Sequence, residues 1–125
     1  MSEKSQVYKC DICGSIVNVL HGGAGTLVCC DEPMTLQKEN TTDAATEKHI
    51  PVVEKIDNGY KVKIGSVEHP MVKEHLIEWV ELVTEERSYF KYFNPEDAPE
   101  VTFVTDSPIV KVRAYCNLHG LWRSK

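Results

Sequence analysis

Cys10-Asp11-Ile12-Cys13 and Cys29-Cys30 fall within an opening stretch of about forty residues with few large apolar side chains, and so short a segment rarely holds a fold without a metal, a disulfide or a partner chain. The cysteines are therefore expected to hold it together. Gly14 follows the first pair, and Gly22-Gly23-Ala24-Gly25 lies between the pairs, a texture of turns rather than of packed elements. Cys-x-x-Cys on a tight turn supplies two corners of a tetrahedral S₄ site. Adjacent cysteines point to opposite faces of a regular strand, so Cys29 and Cys30 reach one metal only if the backbone bends there. The site is expected to be distorted. A zinc ribbon would normally use a second Cys-x-x-Cys, a vicinal disulfide would be strained, and the spacing alone fits iron and zinc alike.

The compartment decides how the thiols are read. No apolar core of a secretory signal precedes Cys10, and the most apolar segment, Leu76 to Val83, is interrupted by Glu78 and Glu81, so neither export nor a membrane span is indicated. In the cytoplasm expected for such a chain, cysteines at motif spacing are metal ligands rather than disulfides, and an odd count of five is no obstacle. A net charge of −5 and the lack of a Lys/Arg block argue against nucleic acid as partner. With 125 residues, 42% hydrophobic and 26% charged, the chain has room for little more than one ordinary domain.

After a polar, Thr-rich stretch from Gln37 to Thr46 that reads as a linker, β signals dominate. Ile50-Pro51-Val52-Val53-Glu54-Lys55-Ile56, a turn at Asp57-Asn58-Gly59 and the alternating Tyr60-Lys61-Val62-Lys63-Ile64 predict a hairpin. Leu76 to Val83 has Leu76, Trp79, Val80 and Val83 on one helical face, but its β-branched and aromatic content predicts a strand. Ser88 to Phe93, Val101 to Val104 and Ile109 to Tyr115 continue the pattern between Pro-containing loops. The fold class expected is mainly β, a small metal-stabilised N-terminal domain followed by a β-sandwich.

The fifth cysteine, Cys116, lies in Cys116-Asn117-Leu118-His119-Gly120, just past a predicted strand. His49 precedes the strand opened by Ile50-Pro51, and His69 and His75 bracket a loop, so four histidines and a thiol all fall at strand ends. Singly, each reads as a surface or capping histidine, and the thiol as a buried free cysteine. Together they exceed what tetrahedral zinc needs, and five N/S donors suit iron with one open position. His21 sits in the glycine-rich loop of the first segment and is left out of the set.

With both constellations in view, the chain resembles desulfoferrodoxin, the two-iron form of superoxide reductase, over essentially its whole length. Cys10-Asp11-Ile12-Cys13 with Cys29-Cys30 is similar to desulforedoxin, which implies a distorted rubredoxin-like Fe(Cys)₄ domain over residues 1–37. After a linker over 38–45, residues 46–125, with Thr46-Glu47-Lys48-His49-Ile50-Pro51, Glu68-His69-Pro70-Met71, His75 and Cys116-Asn117-Leu118-His119-Gly120, resemble the neelaredoxin-type domain. That resemblance implies an immunoglobulin-like sandwich carrying a square-pyramidal iron, with His49, His69, His75 and His119 equatorial and Cys116 axial.

The implied activity is one-electron reduction of superoxide to hydrogen peroxide, a defence against oxygen toxicity. Lys48 is implied to attract the anion and organise proton delivery, and Glu47 to become the sixth ligand of the ferric state. A rubredoxin-like electron donor and a homodimer are also implied. The competing readings are a zinc-stabilised binding module and a pure electron carrier in which only the Fe(Cys)₄ centre works.

Overall fold

Short β-branched runs punctuated by glycine and proline predict strands, and in the computed structural model, which describes residues 1–42 and 48–124, every regular element among the described residues is a strand. The chain divides into two compact units, Met1–Lys38 and Glu39–Lys125.

The first unit holds β1 (Val7–Lys9), β2 (Ile16–Asn18), β3 (Val28–Cys29), β4 (Glu32–Pro33) and β5 (Thr35–Leu36). Antiparallel β2-β1-β5 form one small sheet and β3-β4 a separate hairpin. Its buried apolar residues are Val7, Cys10 and Val19, the meagre core its composition foretells. The bend required at the adjacent cysteines is present. Cys29 pairs with Glu32, and the two residues between, Cys30 and Asp31, have φ of 53° and 61°. Two successive left-handed residues in a two-residue loop are the mark of a type I′ hairpin turn.

The second unit is an antiparallel β-sandwich of β6 (Pro51–Ile56), β7 (Gly59–Ile64), β8 (Ile77–Thr84), β9 (Ser88–Tyr92), β10 (Glu100–Val104), β11 (Ile109–Cys116) and β12 (Gly120–Arg123). One sheet runs β10-β7-β6 and the other β12-β11-β8-β9. Val62 and Ile64 of β7, Phe103 of β10, Val80 and Leu82 of β8, and Val112, Ala114 and Cys116 of β11 meet between them. The hairpin predicted around Asp57-Asn58 forms, and Gly59 opens β7. Glycine is needed there because a Cβ would lie 1.9 Å from the Phe103 carbonyl oxygen of the neighbouring strand.

The segment with two possible periods is a strand. Val80 and Leu82 enter the core, while Trp79 turns away from Val80 to stack on Tyr115, centroids 5.8 Å apart. On that outer face Arg113 of β11 lies opposite Glu81 of β8, both almost wholly buried, and donates through Nε (2.7 Å) and Nη2 to Glu81 Oε1. Glu39 joins the cluster, accepting from Lys111 Nζ at 2.6 Å and Arg113 Nη1 at 3.0 Å. Burial alone would raise the pKa of Glu39, but Lys111 and Arg113 outweigh it and hold the carboxyl below its usual range. Next to it, Asn40 N donates to Leu121 O at 2.9 Å and Arg123 N to Asn40 O at 3.0 Å. Of the stretch read as a linker, these two residues are bonded into the second unit.

Candidate metal centres

The type I′ turn and the Cys-x-x-Cys turn present four thiols to one point. Cys10 Sγ accepts from Cys13 N at 3.4 Å, and Gly14, with φ of 85°, closes the turn through its amide on Cys10 O. Cys13 Sγ and Cys29 Sγ are 3.6 Å apart, Cys29 Sγ and Cys30 Sγ 4.0 Å, and all four sulfurs lie within 4.8 Å of one another. A tetrahedron with metal–sulfur bonds of ~2.3 Å has edges of about 3.8 Å, so the spacing suits one ion.

The electrostatics point the same way. The Ser15 side chain, then its backbone, lowers Cys13 to about 6. Cys29 is pushed up to about 12, first by Cys13 and then by Cys10, and Cys30 is raised by the same two neighbours. The sulfurs resist carrying four negative charges together, and a cation at their centre is what removes that resistance. His21 is outside both donor clusters.

In the second unit the donors gather from both sheets. His49 precedes β6, His69 and His75 lie in the crossing from β7 to β8, Cys116 ends β11, and His119 sits in the three-residue loop before β12. Gly120 ends that loop at φ 86°, the left-handed position three-residue hairpin loops favour. The β11–β8 register shifts between Tyr115 and Cys116, a bulge of the kind that re-aims side chains beside functional sites.

The four imidazoles close a ring. His49–His69, His69–His75, His75–His119 and His119–His49 centroids are 4.8, 4.7, 5.0 and 4.8 Å apart, each pair edge-to-face. Metal–nitrogen bonds of ~2.1 Å at right angles put adjacent nitrogens about 3.0 Å apart, and His49 Nε2 lies 3.1 Å from His119 Nδ1. Cys116 Sγ, fully buried, is 3.7 Å from His119 Nδ1. His69 Nδ1 donates to the Pro70 carbonyl at 2.6 Å, since a carbonyl can only accept, which leaves Nε2 as the lone-pair nitrogen.

Among the described residues the buried Nε2 atoms of His69 and His75 have no hydrogen-bond partner, and such orphans call for an explanation. An ion inside the ring supplies it. Burial, opposed by the Pro70 carbonyl, lowers His69 to about 4, so its imidazole is neutral and donor-ready at pH 7. Burial likewise raises the Cys116 thiol, partly offset by the amides of Leu118 and His119.

Of the two residues expected beside this ring, Lys48 is half-buried and its charge depresses His75, after desolvation and the charges of His119 and His49. Glu47 lies outside the described residues. Sequence reasoning did not single out Trp122, whose ring stacks on His49 at 4.7 Å and 16° while its Nε1 donates to His119 O at 3.1 Å. Nor did it single out Asn117, whose place between two ligand positions was the available signal.

A family model for desulfoferrodoxin matches residues 41–125, and one for the desulfoferrodoxin N-terminal domain matches residues 2–37. The chain is 56% identical over 125 residues to the desulfoferrodoxin of Syntrophotalea carbinolica, covering 100% of this chain and 99% of that one. Its first part is 54% identical over 37 residues to the desulforedoxin of Megalodesulfovibrio gigas, 30% of this chain and 100% of that one. Among solved structures it is similar to the superoxide reductase from Treponema pallidum, with a TM-score of 0.83, 33% identity and coverage of 99% and 100%. Four thiols at tetrahedral spacing and a ring of four imidazoles over a buried thiol fit two iron ions, and the chain belongs to the desulfoferrodoxin family.

Proposed function

We propose that the protein is a superoxide reductase, catalysing O₂•⁻ + e⁻ + 2 H⁺ → H₂O₂ at the site formed by His49, His69, His75, His119 and Cys116. The observation that carries this reading is the closed ring of imidazoles with a buried thiol beside it. When bound there, iron supplies a one-electron couple and one coordination position that the five protein donors do not fill. Residues 1–37 form the Fe(Cys)₄ domain through Cys10, Cys13, Cys29 and Cys30 and residues 46–125 the catalytic domain, with the 38–45 connection tied to the latter by Glu39 and Asn40.

The chain's own charge works against its substrate. A protein of net charge −5 repels an anion, so a local cation has to restore attraction at the mouth of the site, and Lys48, adjoining His49, is that cation. Its ammonium also orders the water that delivers protons. Glu47 would supply a hard carboxylate suited to ferric iron at the coordination position the five donors leave open. Lys48→Ile is expected to lower the second-order rate of superoxide consumption about tenfold, the low end of electrostatic steering, and to flatten its salt dependence. An unchanged rate and salt dependence would remove Lys48 from the mechanism. Glu47→Ala should alter the ferric spectrum and spare the initial reaction; an identical ferric spectrum excludes Glu47 as a ligand.

The electron comes from a rubredoxin-like donor, in a cytoplasmic setting consistent with five free thiols. The protein acts as a homodimer, a reading supported by the small buried set of the first unit and by the exposed Val17 and Leu36 flanking Tyr8 across its sheet. Metal analysis, visible spectra before and after oxidation, sedimentation and superoxide titration of one preparation test the whole reading. Two irons per chain, a redox-responsive second absorption and peroxide formed without dioxygen are expected. A colourless zinc protein, or one that passes electrons but leaves superoxide untouched, overturns it.

A further inference from the structure

Three ligands of the imidazole ring are oriented by contacts beyond the ring, and among the described residues the ring of the fourth, His75, has none. His69 is fixed by the Pro70 carbonyl, His49 by its stack on Trp122, and the His119 loop by the Trp122 indole N–H. Among the described residues the His75 ring has edge-to-face contacts with His69 and His119 alone. Among the described residues no hydrogen bond reaches its ring. Its aim therefore depends on its backbone.

That backbone exchanges two hydrogen bonds of 3.0 Å with Val72, a neighbour on the same crossing, and is tied to the β11 end of the sheet through Asn117. Asn117 Nδ2 donates to Glu74 O at 3.0 Å, Leu76 N donates to Asn117 Oδ1 at 3.0 Å, and Asn117 N donates to Leu76 O at 3.2 Å. The residues bonded are the two neighbours of His75. Asn117 is itself the residue after Cys116, at the point where the bulge has interrupted the regular β11–β8 ladder. An amide can donate and accept at once, and this clip uses both functions.

We propose that Asn117 is the positioning residue for His75, locking its placement relative to Cys116 and so setting the geometry and retention of the second iron. The inference rests on reading the ring as an iron centre. Because partners that orient a ligand typically contribute 10–100-fold to metal affinity, the clip should be visible in how the metal is held.

The test uses the full iron-loaded chain. Asn117→Asp keeps size and the acceptor for Leu76 N but sets two acceptors face to face at Glu74 O, and Asn117→Ala removes both bonds. Expected for each is iron loss from the second centre to a chelator roughly 10–100-fold faster than wild type, with a shifted thiolate-to-iron band, while the absorption of the Fe(Cys)₄ centre stays unchanged.

A merely structural role is separated by repeating Asn117→Asp in a His75→Ala background. With His75 gone, the substitution should add nothing to iron loss, and an undiminished effect there overturns the proposal. So does a wild-type rate and band in both single variants. If Asn117→Ala does not fold, Asn117→Asp and its double variant carry the test. A wild-type protein with no thiolate band at the second centre instead refutes the iron reading, and the inference with it.

Discussion

Replacing Cys116 with serine is expected to abolish the thiolate-to-iron absorption of the second centre, leave that of the Fe(Cys)₄ centre intact, and reduce superoxide consumption by more than about a hundredfold. The magnitude exceeds the 10–100-fold typical of outer partners because the residue supplies a bond to the metal itself. Cys116 is wholly buried within the core cluster, with the imidazole ring to one side. Serine is nearly isosteric, so the sandwich should persist, but its far less acidic hydroxyl does not ionise where burial disfavours even a thiolate. Visible spectroscopy of the loaded variant reads the result. A persisting second-centre band would mean that the sulfur is not a ligand.

Removing one member of the Glu81–Arg113 pair is expected to give the largest loss of stability in the molecule. Glu81 is fully buried, and among the described residues it bonds through Oε1 alone and leaves Oε2 without a partner. Arg113→Met strands that carboxylate, a change that costs about 3–5 kcal/mol for buried pairs. At ~4–8 °C per kcal/mol for a domain of this size, Tm falls by on the order of 15 °C or more. Glu81→Leu should cost less, because Arg113 keeps Glu39 at 3.0 Å. The double variant, with no charge left uncompensated, should recover most of the loss. Thermal unfolding followed by near-ultraviolet circular dichroism checks the order. A double variant no more stable than Arg113→Met would show that packing of the guanidinium, rather than its charge, is what the site needs.

The strands that read clearly in the sequence are those whose side chains answer to local period: Val62 and Ile64 alternate with exposed or half-buried lysines, and β7 follows. The bend at Cys29-Cys30 was legible too, because only a departure from strand geometry lets neighbouring thiols face one point. What escaped depends on partners far along the chain. Glu39 sits in a polar stretch whose composition says linker, yet its partners Lys111 and Arg113 lie more than seventy residues away. β12 has a four-residue span with only Leu121 and Trp122 apolar, too little for a period, and so the stack of Trp122 on His49 was invisible as well. The donors themselves were legible by type and position at strand ends. Their arrangement as a closed ring was not, since it needs the two sheets brought face to face.

That arrangement has a mechanical side. His49 leads into one sheet, Cys116 and His119 belong to the hairpin at the edge of the other, and His69 and His75 lie on the crossing between them. An ion held by all five is therefore a cross-link spanning 70 positions of chain between His49 and His119, and a loop of that length loses a large share of its unfolded freedom when its ends are tied. The centre that does the chemistry is also the rivet at one end of the sandwich.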